Sequence, residues 1–199
     1  MRVTREKALE NREQTIDTAA RLLRKHGFDG IGVADIMKAA GLTHGGFYRN
    51  FASKDELAVK ASEHAIADTI ALLKDGLAQQ PQDPFRALIE RYVSSAHRDD
   101  TGSGCILPAL AADAARRDDP ALRAIFTKAI QFYLEQIAGL SSVPPRAAGG
   151  RHPAAILSEM VGAVILSRVI ADDRLADSLI AAVVEDIAGP SPEGKSDED

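Results

Sequence analysis

The chain has 199 residues, 45% of them hydrophobic, with 27% charged residues and a formal net charge of −5, enough apolar material to bury a sizeable core. An overall acidic balance excludes a protein that coats nucleic acid along its whole surface, and one cysteine, Cys105, excludes an internal disulfide framework. No uncharged stretch approaches the roughly 18 residues of a membrane helix and no apolar run follows a basic start, so a cytoplasmic protein without a secretory signal is expected.

The charge is unevenly spread. Residues 1–60 hold eleven Lys and Arg against eight Asp and Glu, a balance of +3, which leaves −8 for residues 61–199. Any phosphate-binding surface therefore belongs to the first third. Apolar residues recur at spacings of three and four throughout, and alternating strand patterns are almost absent, so the expected fold is all-α with about nine helices.

In chain order, Leu9, Ile16, Ala20 and Leu23 form the stripe of a first helix that ends in Lys25 and His26 before Gly27, a residue suited to a left-handed C-terminal position. Val33, Ile36, Met37 and Ala40 make a second helix stopped by Gly41, and Thr43 opens a third through Asn50. Ser53-Lys54-Asp55-Glu56 reads as a capping box starting a helix that extends to about Gln79, before Pro81 and Pro84. Further helices are expected at about 84–98, 106–117, 120–139, 152–172 and 174–187. Thr101–Gly104 and Ser141–Gly150 are rich in helix breakers, and the polar residues 189–199 are expected to be a disordered tail.

Two short helices around a glycine turn, flanked by longer ones, is the layout that sets a helix in a major groove. In Thr43-His-Gly-Gly-Phe-Tyr-Arg-Asn50 each internal glycine costs a helix about 1 kcal/mol relative to alanine, so the pair has either a reason outside the helix or a role in a simple loop. As a reading element, Gly45 and Gly46 let the backbone press on DNA while His44, Tyr48, Arg49 and Asn50 donate to phosphates or base edges, with Phe47 and Phe51 anchoring the rear.

The run Gly27-Phe-Asp-Gly-Ile-Gly-Val-Ala-Asp-Ile-Met-Lys-Ala-Ala-Gly-Leu-Thr-His-Gly-Gly-Phe-Tyr-Arg-Asn-Phe-Ala-Ser-Lys-Asp-Glu-Leu57 resembles the DNA-binding signature of the TetR/AcrR family of transcriptional regulators, over about residues 9–69. The resemblance implies an N-terminal arm and helix-turn-helix domain at 1–54 and a ligand-binding and dimerisation domain at 55–188. It implies DNA contacts from Gly32, Val33, Thr43, His44, Gly45, Gly46, Tyr48, Arg49, Asn50 and Lys54, with Tyr48 and Lys54 on phosphate. A lysine in the first turn of a helix supports the last of these physically. Where the family commonly has Ser or Thr, Gly32 stands, and Met37 replaces a smaller residue. Arg2, Arg5 and Lys7 are either a phosphate-seeking arm or ordinary solvated charges.

From Ala154 to Ile170 only Glu159 and Arg168 are charged, and Leu175, Leu179, Ile180, Val183, Val184 and Ile187 stripe the last helix, so these two helices pair either within the chain or with a second copy. The resemblance implies a homodimer through them, which suits a palindromic double-stranded operator, and a small-molecule effector of unknown identity that releases it. Tyr92, Cys105, Phe126, Ile130, Tyr133 and Met160 are candidates for the effector site, though aromatics in helical bundles are more often core. Cys105, at an expected helix start, is either an oxidant-sensing thiol or a small buried hydrophobe. His26, His44, His64, His97 and His152 show no i, i+4 His pairing, so no metal, cofactor or catalytic constellation is expected. The alternative function is a helical protein-interaction or redox-sensing module whose helix-turn-helix reads nothing.

Overall fold

Stop signals rather than helix propensity divide the chain. In a computed structural model, which describes residues 5–78, 82–140 and 150–190, the helices are α1 (Arg5–His26), α2 (Val33–Ala39), α3 (Lys54–Ala78), α4 (Pro84–Tyr92), α5 (Ser95–Asp99), α6 (Ile106–Arg116), α7 (Pro120–Leu140), α8 (Pro153–Val169) and α9 (Asp173–Ala188), with a 3₁₀ segment at His44–Arg49. No strand occurs among the described residues, so the chain is all-α. Arg2, Gln79, Pro81, most of the Ser141–Gly150 loop and residues 191–199 lie outside the described residues.

Gly27 ends α1 at φ 77°, its N–H donating to Leu23 O at 2.8 Å, a left-handed termination that an L side chain would strain. Gly41 ends α2 at φ 68° in a Schellman pattern: Gly41 N–H donates to Lys38 O and Leu42 N–H to Met37 O. At the start of α3 the Ser53 hydroxyl accepts from Glu56 N–H at 3.0 Å, while the Glu56 carboxylate accepts from Ala52 N–H at 2.7 Å, one residue before the amide that a regular capping box uses.

Two boundaries differ from the sequence expectation. The single helix expected over 84–98 is two, because Ser94 takes over as N-cap: its hydroxyl accepts from His97 N–H at 3.1 Å and donates to Arg91 O at 3.1 Å. The helix expected over 152–172 stops at Val169, because Asp172 turns its carboxylate to Arg174 and Leu175 N–H and caps α9 instead. At the other end of α9, the Arg86 guanidinium donates to the carbonyls of Ala188, Gly189 and Pro190, so the first two residues of the expected tail are held in place.

The chain forms two compact units, Met1–Ala71 with Thr101–Ala129 and Leu72–Asp100 with Ile130–Asp199. In the first, α1, α2, the 3₁₀ segment, the start of α3 and α6 enclose Leu23, Phe28, Ile36, Met37, Phe47, Leu57, Ile106 and Leu110. Arg24 on α1 donates from Nε to Gly102 O at 2.6 Å, which gives the Thr101–Gly104 breaker loop a defined seat. In the second unit, α8 and α9 pack along each other and α9 also meets α4. Leu88, Ile89, Ile137, Met160 and Val164 form its interior.

Candidate nucleic-acid interface

The segment after Gly41 is a 3₁₀ turn rather than the α-helix expected through Asn50. Two consecutive glycines remove helix propensity from a run of six residues, and the tighter i, i+3 pattern suits so short a piece. Gly46 N–H donates to Thr43 O and Asn50 N–H to Phe47 O, each at 2.9 Å. Thr43 stands at the N-cap with extended backbone, but its hydroxyl makes no capping bond, and Gly32 likewise caps α2 through backbone alone.

The segment has two unlike sides. Phe47 and Phe51 are buried and stacked, ring centroids 5.5 Å apart, with the Arg12 guanidinium 5.1 Å over the Phe51 ring. Thr43, His44, Gly45, Tyr48 and Arg49 are exposed, Tyr48 at 68%. The Tyr48 ring is not loose: it meets Phe47 edge-on at 5.1 Å and His44 at 6.0 Å, which aims the phenol outward from a fixed base.

The glycines are not demanded by the fold. Neither Gly45 nor Gly46 has positive φ, a Cβ at Gly45 would meet nothing within 4 Å, and one at Gly46 would make only ordinary contacts at 3.7 Å with Met37 Cε and Thr43 Oγ1. Met37 is buried beneath Gly46, so the larger residue noted in the sequence fills space under the turn. No contact among the described residues calls for a glycine at position 45.

Among the remaining sequence candidates, Gly32 is exposed, and Val33, Gly46 and Lys54 are half-buried. Lys54 is the first residue of α3, beside the outward amides of that helix. Asn50 departs from expectation: its Nδ2 donates to Gly46 O at 3.2 Å, so this side chain is engaged in holding the turn together. Sequence reasoning missed Arg117, at the end of α6. It pairs with Asp29 and with Asp55 (2.8 Å to the latter), and its guanidinium lies 5.1 Å over Phe28. It thereby fixes the loop entering α2 and the first turn of α3, the two supports of the segment between them. No local signal marks it, because its partners lie far away in the chain.

The effector candidates fall in both compact units. Tyr92, Tyr133 and Met160 are buried in the second unit, the two tyrosines edge to face at 5.4 Å, whereas Cys105 and Phe126 belong to the first. Ile130 is 40% exposed, so it lines no closed interior. Cys105 is at the N-cap of α6, as expected, where its sulfur accepts from Leu107 N–H at 3.4 Å, but it is only 4% exposed. That burial withholds the thiol from oxidants in solution and disfavours the redox-sensing alternative.

A helix, a tight glycine turn and a second short element with an exposed polar side define a helix-turn-helix head. Residues 16–61 match the model of the family described as bacterial regulatory proteins, tetR family. The HTH-type transcriptional regulator AcrR of Shigella flexneri is 33% identical over 89 residues, 45% of this chain and 41% of that protein, so this chain spans less than half the length of that curated relative. A TetR transcriptional regulator from Chloroflexus aurantiacus superposes over 92% of this chain and 96% of its own, with TM-score 0.75 and 28% identity. A TetR family regulator from Cytophaga hutchinsonii, 21% identical, shares the fold over 94% of this chain and 97% of its own at TM-score 0.74. Residues 16–61 thus carry the segment found in bacterial regulatory proteins of the tetR family, and the fold is that of a TetR transcriptional regulator over nearly the whole chain.

Proposed function

We propose that this chain is a repressor that binds a palindromic DNA operator as a homodimer in the cytoplasm and leaves it when a small molecule binds. Residues 1–54 act as the reading head, and 55–188 as the effector and dimerisation part. The observation that carries the reading is the 43–50 segment: an apolar rear seated on Phe47 and Phe51, and a front of exposed polar side chains around a glycine that no contact among the described residues requires. Bare backbone beside donors fits a surface rich in acceptors, and a duplex groove is one. Tyr48 and Lys54 contact phosphate, His44 and Arg49 reach base edges, and Gly32, Val33, Thr43, Gly45, Gly46 and Asn50 shape the close approach.

Dimerisation is supported by α8. Its buried face carries Ile156, Leu157, Met160, Ala163 and Val164, yet Ile165, Leu166 (53%) and Val169 (76%) remain exposed on the other, as does Leu175 on α9. Gly162 belongs to this uncovered side, since a Cβ there would meet nothing within 4 Å. An apolar stripe with a small residue in it suits a second copy of itself. Two reading heads about 34–36 Å apart would then enter successive major grooves. The effector is assigned to the buried Tyr92, Tyr133 and Met160 region, and it acts by preferring the conformation that DNA does not.

The test is selection of genomic fragments by the purified full chain across a salt series. Enrichment of one palindrome, weakened by rising salt, is expected; retention of DNA without sequence preference would leave the interaction-module alternative standing.

A further inference from the structure

Asp17 on α1 and His64 and Asp68 on α3 converge at the side of the first unit, away from the 43–50 segment in sequence and unused by the proposed reading of DNA. His64 and Asp68 are one helical turn apart, so they share a face of α3. The Nε2 atom of His64 is 3.2 Å from Asp68 Oδ2 and 3.6 Å from Asp17 Oδ1, and the donor atoms of the three residues all lie within 4.8 Å of one another.

We propose that Asp17, His64 and Asp68 form a binding site for a divalent transition-metal ion that ties α1 to α3. One ring nitrogen carries at most one proton and faces two carboxylate oxygens, so as an ion pair it serves one of them well at a time. A single cation at that point satisfies all three donors together. Nitrogen and oxygen ligands around a common ion at about 2.0–2.2 Å stand about 3 Å or a little more from each other, and the two separations at His64 already approach this. The donor set selects the metal: an imidazole with two carboxylates suits Zn²⁺, Co²⁺, Ni²⁺ or Mn²⁺ over Cu(I), which prefers sulfur, and over Mg²⁺ and Ca²⁺, which prefer oxygen alone. His64 is half-buried and both carboxylates are open to solvent, so water completes the coordination and the ion can enter without rearrangement.

The consequence falls on the reading head. α1 packs on α2, and α3 begins with Lys54 beside the 3₁₀ segment, so an ion bridging α1 and α3 fixes the spacing of the two helices that frame it. A sequence search for paired histidines passes over this site, because the residue four positions after His64 is an aspartate and the third donor comes from another helix.

The experiment uses untagged full-length protein stripped with a chelator and titrated with ZnCl₂ by calorimetry and with CoCl₂ by visible absorption, alongside thermal melts. One ion per chain and a higher Tm are expected, with His64→Ala and Asp17→Asn each raising Kd at least about tenfold, the order of change that weakened ligation brings, while circular dichroism stays unchanged. Absence of saturable binding, or variants that bind as the parent does, would overturn the proposal and leave an exposed ion pair only. Binding lost in His64→Ala but kept in Asp17→Asn would overturn the link between helices. Neither readout involves DNA or effector, so the result stands apart from the repressor reading.

Discussion

The 43–50 segment and the outer face of α8 are both left exposed among the described residues, and they are opposites in chemistry. One offers His44, Tyr48, Arg49 and bare glycine backbone over a buried pair of phenylalanines; the other offers Ile165, Leu166 and Val169. A polar surface gains from burial only if its donors find acceptors, so it suits a partner built of phosphates and base edges. An apolar surface gains from losing water against any complementary apolar surface, so it suits a permanent partner, and its own copy is always present. Exposure alone says little about function; the chemistry of what is exposed separates transient from permanent contacts.

The comparison can be broken most strongly at α8. Leu166→Glu places a charge in the apolar stripe; light scattering should then report a monomer and operator binding should fall by orders of magnitude, with helicity by circular dichroism preserved. An unchanged dimer would remove α8 from the interface. Next, Phe47→Ala takes away the rear support of the reading segment and should cost about 3–5 kcal/mol in urea unfolding, the usual range for a buried phenylalanine. A loss below about 1 kcal/mol would mean that the segment is held some other way.

Smaller substitutions sharpen the contrast within the head. Arg49→Ala should weaken operator binding by about 1–3 kcal/mol and relax the preference at one base position, whereas Tyr48→Phe should weaken all sequences alike. Equal losses on every operator for Arg49→Ala would refute its base-reading role. Gly41→Ala and Gly45→Ala should then diverge. The first forces alanine into a left-handed conformation and should lower stability by about 1–2 kcal/mol, while the second meets open space, leaves the melt unchanged or raised, and weakens DNA binding.

The smallest effect concerns His97 in the second unit. Burial pushes its pKa below the ordinary 6.5, and Arg168 adds to this, against the raising influence of the Tyr92 carbonyl, which its Nδ1 meets at 2.7 Å, and of Asp100. A histidine held neutral in the fold binds fewer protons than in the unfolded chain, so its contribution is present above pH 6.5 and is lost as the pH falls below it. Melts between pH 7.5 and 5.5 should show a decline that His97→Gln flattens, and an equal decline in the variant would assign it to other groups.

Much of the fold was legible in the sequence because its signals are local. Gly27 and Gly41 end helices as read, Ser53 and Glu56 cap α3, and the α6 and α7 boundaries fall within a residue of expectation. Local competition explains the misses as well: Ser94 and Asp172 are N-cap residues embedded in runs of helical period, and the cap outweighed the period at both places. Of the candidate interface, the residue types and the apolar rear were readable, but the 3₁₀ geometry and the turn of Asn50 onto Gly46 O were not.

By itself the sequence determined an all-helical chain, the family resemblance of its first sixty residues and the residue types of the 43–50 segment, because periodicity, capping and motif spacing act over a few residues. Only the tertiary structure decided that Arg117 holds both supports of that segment, that Cys105 is shut away from solvent, that the effector candidates split between two units, and that Asp17 meets His64. Each of those depends on pairs distant in the chain, whose meeting is set by which helix faces bury against each other and is written in no local stretch of residues.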